Sequence, residues 1–278
     1  MTAPDLRKSP ARFSMPHLTY RVWMVWRRNF DVFTKTITVN FLPSLLEPIL
    51  YLLAFGFGLG GLIPSIQGES YIEFIAPGLV AIAIMNGAFF ECTFASFVRM
   101  YFQKTFDAIV ATPVSVEEVV AGELIWGATR STINATIVLG VIAVFGLIKS
   151  PLFLLVVPIA FFGGLMFASI AMCFTAAAPN IDFFNFPSFL FLTPMFFLSG
   201  TFFPLTEFHS NVAEGVALSV LPLTHVVDLT RSVITGHLDR ILGLDPSILV
   251  IIAFAWIVPV TIFFFVLSIN LMKKRLTA

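Results

Sequence analysis

The chain has 278 residues, 58% of them hydrophobic and only 12% charged, with a formal net charge of +0. Soluble domains carry roughly 25% charged residues, so this composition excludes a soluble globular enzyme, a disordered chain and a nucleic-acid binder. With 33 phenylalanines and 4 tryptophans available for lipid-facing surface, it specifies a multi-span membrane protein.

The first element precedes any span. Leu18, Val22, Trp26, Phe30, Phe33 and Ile37 recur three and four apart, which is one face of a helix. Arg21, Arg28 and Lys35 fall on nearly the opposite side. That pattern predicts a helix lying in the membrane interface, apolar side in lipid and cations at the headgroups. The first 37 residues lack a short apolar segment with a small-residue cleavage site, so the first span is expected to remain as an uncleaved anchor.

A spanning helix needs ~20 mostly apolar residues, because lipid offers the backbone no hydrogen-bond partners. Six stretches qualify, at about residues 41–63, 74–98, 125–148, 152–177, 183–203 and 247–272. A seventh apolar stretch, about 212–234, carries Glu214, Asp228, Arg231 and the breaker Pro222. Charges facing lipid are expensive, so this stretch is read as two short helices that dip into the membrane and return. A plain loop helix broken at the same proline fits these residues too. Lys and Arg set the orientation. Twelve of them lie before the first span, in the second connection (Arg99, Lys104) and in the tail, against three in the alternate connections, Lys149, Arg231 and Arg240. Both termini are therefore expected to be cytoplasmic, and the connection at about 204–246 external.

Within the first span, Gly56 and Gly60 are spaced for close helix packing. Ionisable groups inside spans are functional candidates by default. Glu47 stands beside Pro48 in the first span, and Glu91 lies deep in the second with no cationic partner evident at depth. Such carboxylates act either as proton relays or as hydrogen-bonding groups within the bundle or across a dimer. Arg130 is expected near the cytoplasmic end of the third span, where it can snorkel.

The second cytoplasmic connection is distinctive. Residues 101–111 can form a short helix, and Thr112-Pro113 breaks it, because the residue before proline avoids the α region. Ser115 and Glu118 then make an S-x-x-E capping box that starts the next helix. The result is a short surface helix, a sharp turn and a long helix. Farther on, Pro187 and Pro194 interrupt the fifth span, which ends in Leu198-Ser199-Gly200 and Phe203-Pro204. Proline removes backbone bonds and kinks the helix.

No G-x-x-x-x-G-K-[ST] occurs, so the chain has no phosphate-cradling loop of its own. His17, His209, His225 and His237 are scattered, and Cys92 and Cys173 sit in apolar runs. They suggest neither a metal site nor a disulfide framework. No catalytic residue is expected.

Several elements together resemble the permease subunit of ABC-2 type exporters. They are Leu198-Ser199-Gly200, Phe203-Pro204 and Pro222-Leu223-Thr224-His225 through Arg231. W-R-R-N at 26–29, E-P-I-L-Y at 47–51, F-E-C-T-F-A-S-F-V-R-M at 90–100 and A-G-E-L-I-W at 121–126 are similar to the nodulation protein J-like branch, across nearly the whole chain. The resemblance implies an all-α membrane protein with six transmembrane helices and both termini cytoplasmic. It divides the chain into a cytoplasmic N-terminus with an amphipathic gate helix (1–38) and a six-span permease domain (39–278).

The gate helix would include Trp23, Trp26, Arg27 and Arg28. A coupling helix at about 101–111, with Tyr101, Gln103, Lys104, Phe106 and Asp107, would dock on an ABC ATPase. Short re-entrant helices at about 204–246, marked by Pro204, Pro222, His225 and Arg231, would help close the outer exit. The first, second and fifth spans of a homodimer would line the path. Glu47, Phe89, Phe90, Glu91, Ser199 and Gly200 are candidates there for pathway or packing roles. The chain would bind no cofactor, with ATP and Mg on the partner subunit. Its location would be the bacterial inner membrane and its substrate an amphiphilic lipo-oligosaccharide or glycolipid. A drug or small-lipid exporter is the alternative within the family. An ion-coupled secondary carrier using Glu91 is the alternative of another class.

Overall fold

The computed structural model describes residues 15–60, 62–63, 65–66, 68–205, 211–236 and 246–277. Arg7, Lys8, Arg12, His209, His237 and Arg240 lie outside the described residues. The described chain is helical throughout, with one isolated bridge between Ile66 and Glu69.

Helix α1 is Val22–Lys35. Helix α2, Ile37–Tyr51, continues through wide π turns over Leu52–Leu59. Helix α3, Tyr71–Phe90, continues through two more wide segments, Glu91–Ala95 and Val98–Phe102. The short α4, Thr105–Val110, leads to the long α5, Val116–Val144. Helix α6, Val156–Ala177, follows a 3-10 turn at Pro151–Leu155. Helices α7, Asn185–Pro187, and α8, Thr193–Leu198, belong to one broken rod. Then come α9, Asn211–Val220, α10, Pro222–Ile234, and α11, Pro246–Thr277.

Among the described residues five rods are long and apolar enough to cross a membrane: Tyr71–Phe102, Val116–Val144, Pro151–Ala177, Ile181–Leu198 and Val250–Thr277. The first of the six expected spans falls on α2, where the apolar helix, Ser44–Gly56, is shorter. Thr38, Asn40 and Glu47 dilute the first half of α2.

Three expected boundaries shift for physical reasons. The rod containing α3 runs past residue 98 to Phe102, because its wide turns carry Arg99 inward rather than into a loop. Helix α5 starts at residue 116, well before its apolar run at 125, where the expected Ser115–Glu118 cap forms, with Ser115 N donating to Glu118 Oε2 at 2.8 Å and Glu118 N to Ser115 Oγ at 3.2 Å. The fifth rod stops at Leu198 rather than 203, because Gly200 turns left-handed at φ 74°, a conformation glycine adopts without steric cost. Within that rod the proline breaks take the expected form, a wide turn over Ser188–Leu192 between Pro187 and Pro194. Ser188 Oγ donates to Phe184 O at 2.8 Å and Thr193 Oγ1 to Ser188 O at 3.2 Å, which re-satisfies backbone groups inside the rod.

The centre of the bundle is α3, α5 and α6, with α11 against α6 and α10, and α1 against α5. Lipid supplies no hydrophobic drive between helices, so small residues and polar contacts set the approach. A β-carbon on Gly164 of α6 would lie 2.5 Å from Ser131 Oγ and 3.3 Å from Ala128 Cα of α5. Ser131 Oγ donates to Ile84 O of α3 at 2.9 Å, and Thr175 Oγ1 of α6 donates to Cys92 O at 2.6 Å. Gly164→Val is therefore expected to push α5 and α6 apart and to cost about 1–3 kcal/mol. A lowered thermal midpoint in detergent checks this, and an unchanged midpoint refutes it. Gly56 also packs closely, against Ile72, whereas Gly60 faces the carbonyl of Gly56 in its own helix.

Polar contacts gather the connections at two ends. At one end His17 N donates to Glu117 Oε2 at 2.7 Å, Lys273 Nζ reaches Glu117 Oε1 at 2.5 Å, and Thr19 bonds Glu118. Arg275 Nη1 there donates to Thr175 O at 2.5 Å, a favourable place for a cation at the C-terminus of α6. At the other end Lys149 Nζ meets Glu73 at 2.9 Å and Glu69 at 3.3 Å. The hydrogen bond to Glu73 holds Lys149 above the ordinary lysine range. The backbone N–H groups of Lys149 and Ser150 both donate to Ile234 O at 3.0 Å.

Candidate functional site

Arg99 is the centre of a buried charge network. It leaves the wide turn Val98–Phe102 and points into the bundle, with 14% of its side chain exposed. Its Nη2 and Nε lie 2.6 and 2.9 Å from Glu123 Oε2, and its Nη1 lies 2.8 Å from Glu91 Oε1. Glu123 on α5 also accepts from Ser96 Oγ at 2.6 Å and from Asn29 Nδ2 of α1 at 2.7 Å. Glu91 accepts from Trp126 Nε1 at 2.8 Å, and Arg130 Nε stands 3.9 Å from its Oε2.

Buried charges persist only when paired and hydrogen-bonded, and each carboxylate here meets both conditions. The expectation that Glu91 lacks a cationic partner is thereby corrected. Arg99 lies in the rod rather than in a connection, and Glu123 lies on a helix that begins earlier than its apolar run. Arg130 is also turned inward, with its guanidinium 4.5 Å from the centre of the Phe33 ring.

Helix α1 lies on α5 through Val22, Val25, Asn29 and Phe33. Val25 sits over Gly122, where a β-carbon would come 2.6 Å from Val25 Cβ. Trp26 Nε1 donates to Thr129 Oγ1 at 2.9 Å, and Trp23 stacks on Trp26 at 4.1 Å. Part of the expected apolar stripe packs on α5: Val22 and Phe33 are buried, while Leu18, Phe30 and Ile37 lie on the outer surface. Arg27 faces outward.

Arg28 does not join an outward cationic face. Its Nη1 donates to Asn29 Oδ1 at 2.9 Å and its Nη2 to Thr105 Oγ1 at 3.4 Å. Burial lowers its pKa from the ordinary arginine range, with Glu123 opposing the fall and Arg99 adding to it. The Asn29–Glu123 bond helps to fix which face of α1 meets α5, a contact that the spacing of apolar residues does not encode.

The rod containing α3 ends at a sharp joint. Lys104 takes a left-handed backbone at φ 54°, and α4 starts immediately after it. The short helix is six residues long rather than the expected eleven. Tyr101 and Phe102 belong to the preceding wide turn and are 52% and 65% exposed. Gln103, Lys104 and Asp107 are exposed with them, whereas Phe106 is packed into the core. Phe102 was not singled out from the sequence, although an aromatic pair at a helix end was the available signal.

At the opposite end the parts of the C-terminal signature meet. Arg231 Nη2 of α10 donates to Gly200 O at 2.9 Å, and its guanidinium lies 4.2 Å from the centre of the Phe74 ring. Thr230 Oγ1 donates to Pro77 O at 3.1 Å. His225 Nε2 pairs with Leu218 O at 2.8 Å, and its ring lies 4.8 Å from Trp256. Pro222 opens α10, while Ser199 and Pro204 are buried near Gly200. A left-handed glycine exposes its carbonyl to a long donor thirty-one residues away, which gives the motif's spacing a geometric reason.

Two cavities border α1, α2 and α5. One, of about 620 Å³, is lined by Arg28, Glu47, Phe90, Glu91, Arg99 and Arg130 among others. The other, of about 660 Å³, is apolar, with Phe33, Leu45, Ile49, Ile137 and Val141 in its wall. Glu47 and Phe90 are exposed, while Phe89 is fully buried among Phe174, Phe191 and Phe90. Among the described residues no group of His, Cys, Asp and Glu could hold a metal ion.

The sequence profile described as ABC-2 type transporter matches residues 20–235. The chain belongs to the ABC-2 type transporter family. Nodulation protein J of Rhizobium meliloti is 36% identical over 252 residues, covering 91% of this chain and 92% of that protein. Nodulation protein J of Bradyrhizobium diazoefficiens is 39% identical over 219 residues, 79% and 83% of the two chains. The inner membrane transport permease YadH of Escherichia coli is 23% identical over 182 residues, 66% and 71%.

Members of the ABC-2 family are membrane subunits of transporters rather than enzymes, and the family implies an ABC ATPase as partner. The chain is accordingly a multi-pass protein of the bacterial inner membrane. The ABC-2 match includes α1, the charge network, α4 and the Gly200–Arg231 contact.

Proposed function

We propose that this chain is the permease subunit of an ATP-driven exporter that moves an amphiphilic lipo-oligosaccharide or glycolipid across the inner membrane. Two copies form the permease and bind two copies of a separate ATPase, which carries ATP and Mg. Six spans, with α2 as the first, place both termini in the cytoplasm, in keeping with the excess of Lys and Arg before the first span, at Lys104 and in the tail. Helices α9 and α10 re-enter from outside and close the exit, and α1 serves as the gate helix. The path runs along the dimer interface between α2, α3 and the rod Ile181–Leu198.

The observation that carries this reading is the exposed step at residues 101–107 and its connection to α1. Tyr101, Phe102, Lys104 and Asp107 offer a partner two aromatics and two charges on one short surface. Behind that step Arg28 bonds Thr105, and Arg99 bonds the Glu123 that holds Asn29. Motion of α4 therefore has a direct polar route to α1. The ion-coupled carrier is less favoured, because Glu91 Oε1 already accepts from both Arg99 and Trp126. A drug or small-lipid exporter would use the same parts and differ only in what crosses the membrane.

The test is mild extraction of the tagged chain from membranes in which its neighbouring genes are expressed. A stoichiometric soluble ATPase is the expected companion. A dimer or monomer free of any ATPase, repeated under several mild conditions, overturns the exporter reading. As a finer check, Phe102→Ala is expected to weaken that complex by roughly tenfold or more, as for an interface aromatic worth ~2 kcal/mol. Titrating the purified ATPase onto the detergent-solubilised permease measures it.

A further inference from the structure

The polar and apolar cavities are continuous in their walls, since Arg130 and Asn134 line both. From this geometry we infer a binding site for an anionic phospholipid of the surrounding bilayer, with its phosphate in the polar cavity and one acyl chain in the apolar groove along α5. This goes beyond the exporter reading and does not depend on it.

Three observations choose this occupant. The first is shape. Arg130 to Val144 along α5 spans about 21 Å at 1.5 Å per residue, more than the ~15 Å of hydrocarbon in one leaflet. Both residues line the groove, so an acyl chain fits lengthwise beside the helix. The second is room. A β-carbon on Gly140 in the same wall would meet nothing within 4 Å.

The third is charge. Arg28, Arg99 and Arg130 face the polar cavity against Glu47 and Glu91. Arg99 is committed to Glu91 and Glu123, but Arg28 bonds neutral oxygens of Asn29 and Thr105. A guanidinium has five donors in a planar fork that matches a phosphate, so Arg28 keeps donors for one. The arginines stand in the first cavity, while the groove wall is almost entirely apolar and offers a headgroup few partners. The junction at Arg130 and Asn134 therefore fixes its orientation.

The test is native mass spectrometry of the full chain released from nanodiscs containing equal phosphatidylglycerol and phosphatidylcholine. The wild type is expected to retain phosphatidylglycerol over phosphatidylcholine by about tenfold, because both phosphates can accept from Arg28 but the fixed cation of choline is repelled by the arginines that line the cavity. Arg28→Gln should abolish that preference. Gly140→Phe should lower retention of both lipids by filling the groove, while Gly58→Phe, at another open glycine, should change nothing. Equal retention of the two lipids by the wild type overturns the proposal. So does a Gly140→Phe chain that keeps its lipid, or one that instead loses its self-association. If Arg28→Gln does not fold, Gly140→Phe carries the test alone. Failure here leaves the ATPase co-purification result untouched, and the reverse also holds.

Discussion

Arg99→Ala is expected to cost the permease about 3–5 kcal/mol, the usual consequence of removing one partner from a buried ion pair. Glu123 is 1% exposed, and Glu91 and Arg99 are 13% and 14% exposed at their side chains. Truncating Arg99 leaves Glu123 with hydrogen bonds from Ser96 and Asn29 but no cation in contact. Glu91 keeps Trp126 and the more distant Arg130. Two carboxylates would then face each other's field in a low-dielectric interior, where their mutual repulsion is poorly screened.

The thermal midpoint of the purified protein and its insertion yield are the readouts. Arg99→Met combined with Glu123→Gln should recover much of the loss, because replacing a buried pair with uncharged groups of similar volume is often neutral. A single Arg99→Ala chain as stable as the wild type would mean that the network contributes nothing to the fold.

Asp107→Lys is expected to abolish coupled transport while leaving the permease folded. The wild-type Lys104–Asp107 pair is 3.9 Å apart with both side chains more than 60% exposed. Exposed pairs of this kind contribute little, so stability should move by no more than about 0.5 kcal/mol. On a docked ATPase, a reversed charge at the contact costs several kcal/mol through like-charge juxtaposition. Transport into inverted vesicles should fall to background, and the ATPase should keep hydrolysing ATP in solution. Normal transport by this variant would remove α4 from the coupling role. Phe106→Ala offers a contrast: its side chain is buried, so its loss should appear first as instability.

Features set by neighbours in the chain were legible from the sequence. The cap at Ser115 and Glu118, the stop at Thr112-Pro113, the split before Pro222 and the proline-broken fifth rod all depend on residues within a few positions of one another. The structure has each of them. The charge network was not legible, because its members are far apart in sequence. Asn29, Arg99 and Glu123 each look like a surface or connecting residue when only local hydropathy is weighed, and Glu91, though deep in a span, has no partner evident there. Apolar runs also placed the second helix boundary too early and the third too late, since a buried ion pair lets charged residues lie inside a rod. The contact face of α1 was hidden for the same reason: the polar Asn29 anchors it on Glu123, while Leu18, Phe30 and Ile37 lie on the outer surface. The Gly200–Arg231 contact was visible as a motif, but its reason, a carbonyl turned outward by a left-handed glycine, required coordinates.

The wide turns at Glu91–Ala95 and Val98–Phe102 give the rod that holds Arg99 an adjustable phase. Each such turn accommodates roughly one residue more than a standard turn, and one residue corresponds to about 100° of azimuth on an α-helix. Tightening a single wide turn would swing Arg99 around the rod axis and off Glu123 without bending the rod at all. The ion pairs of Arg99 with Glu91 and Glu123 therefore hold the rod at this phase against unwinding as well as against bending.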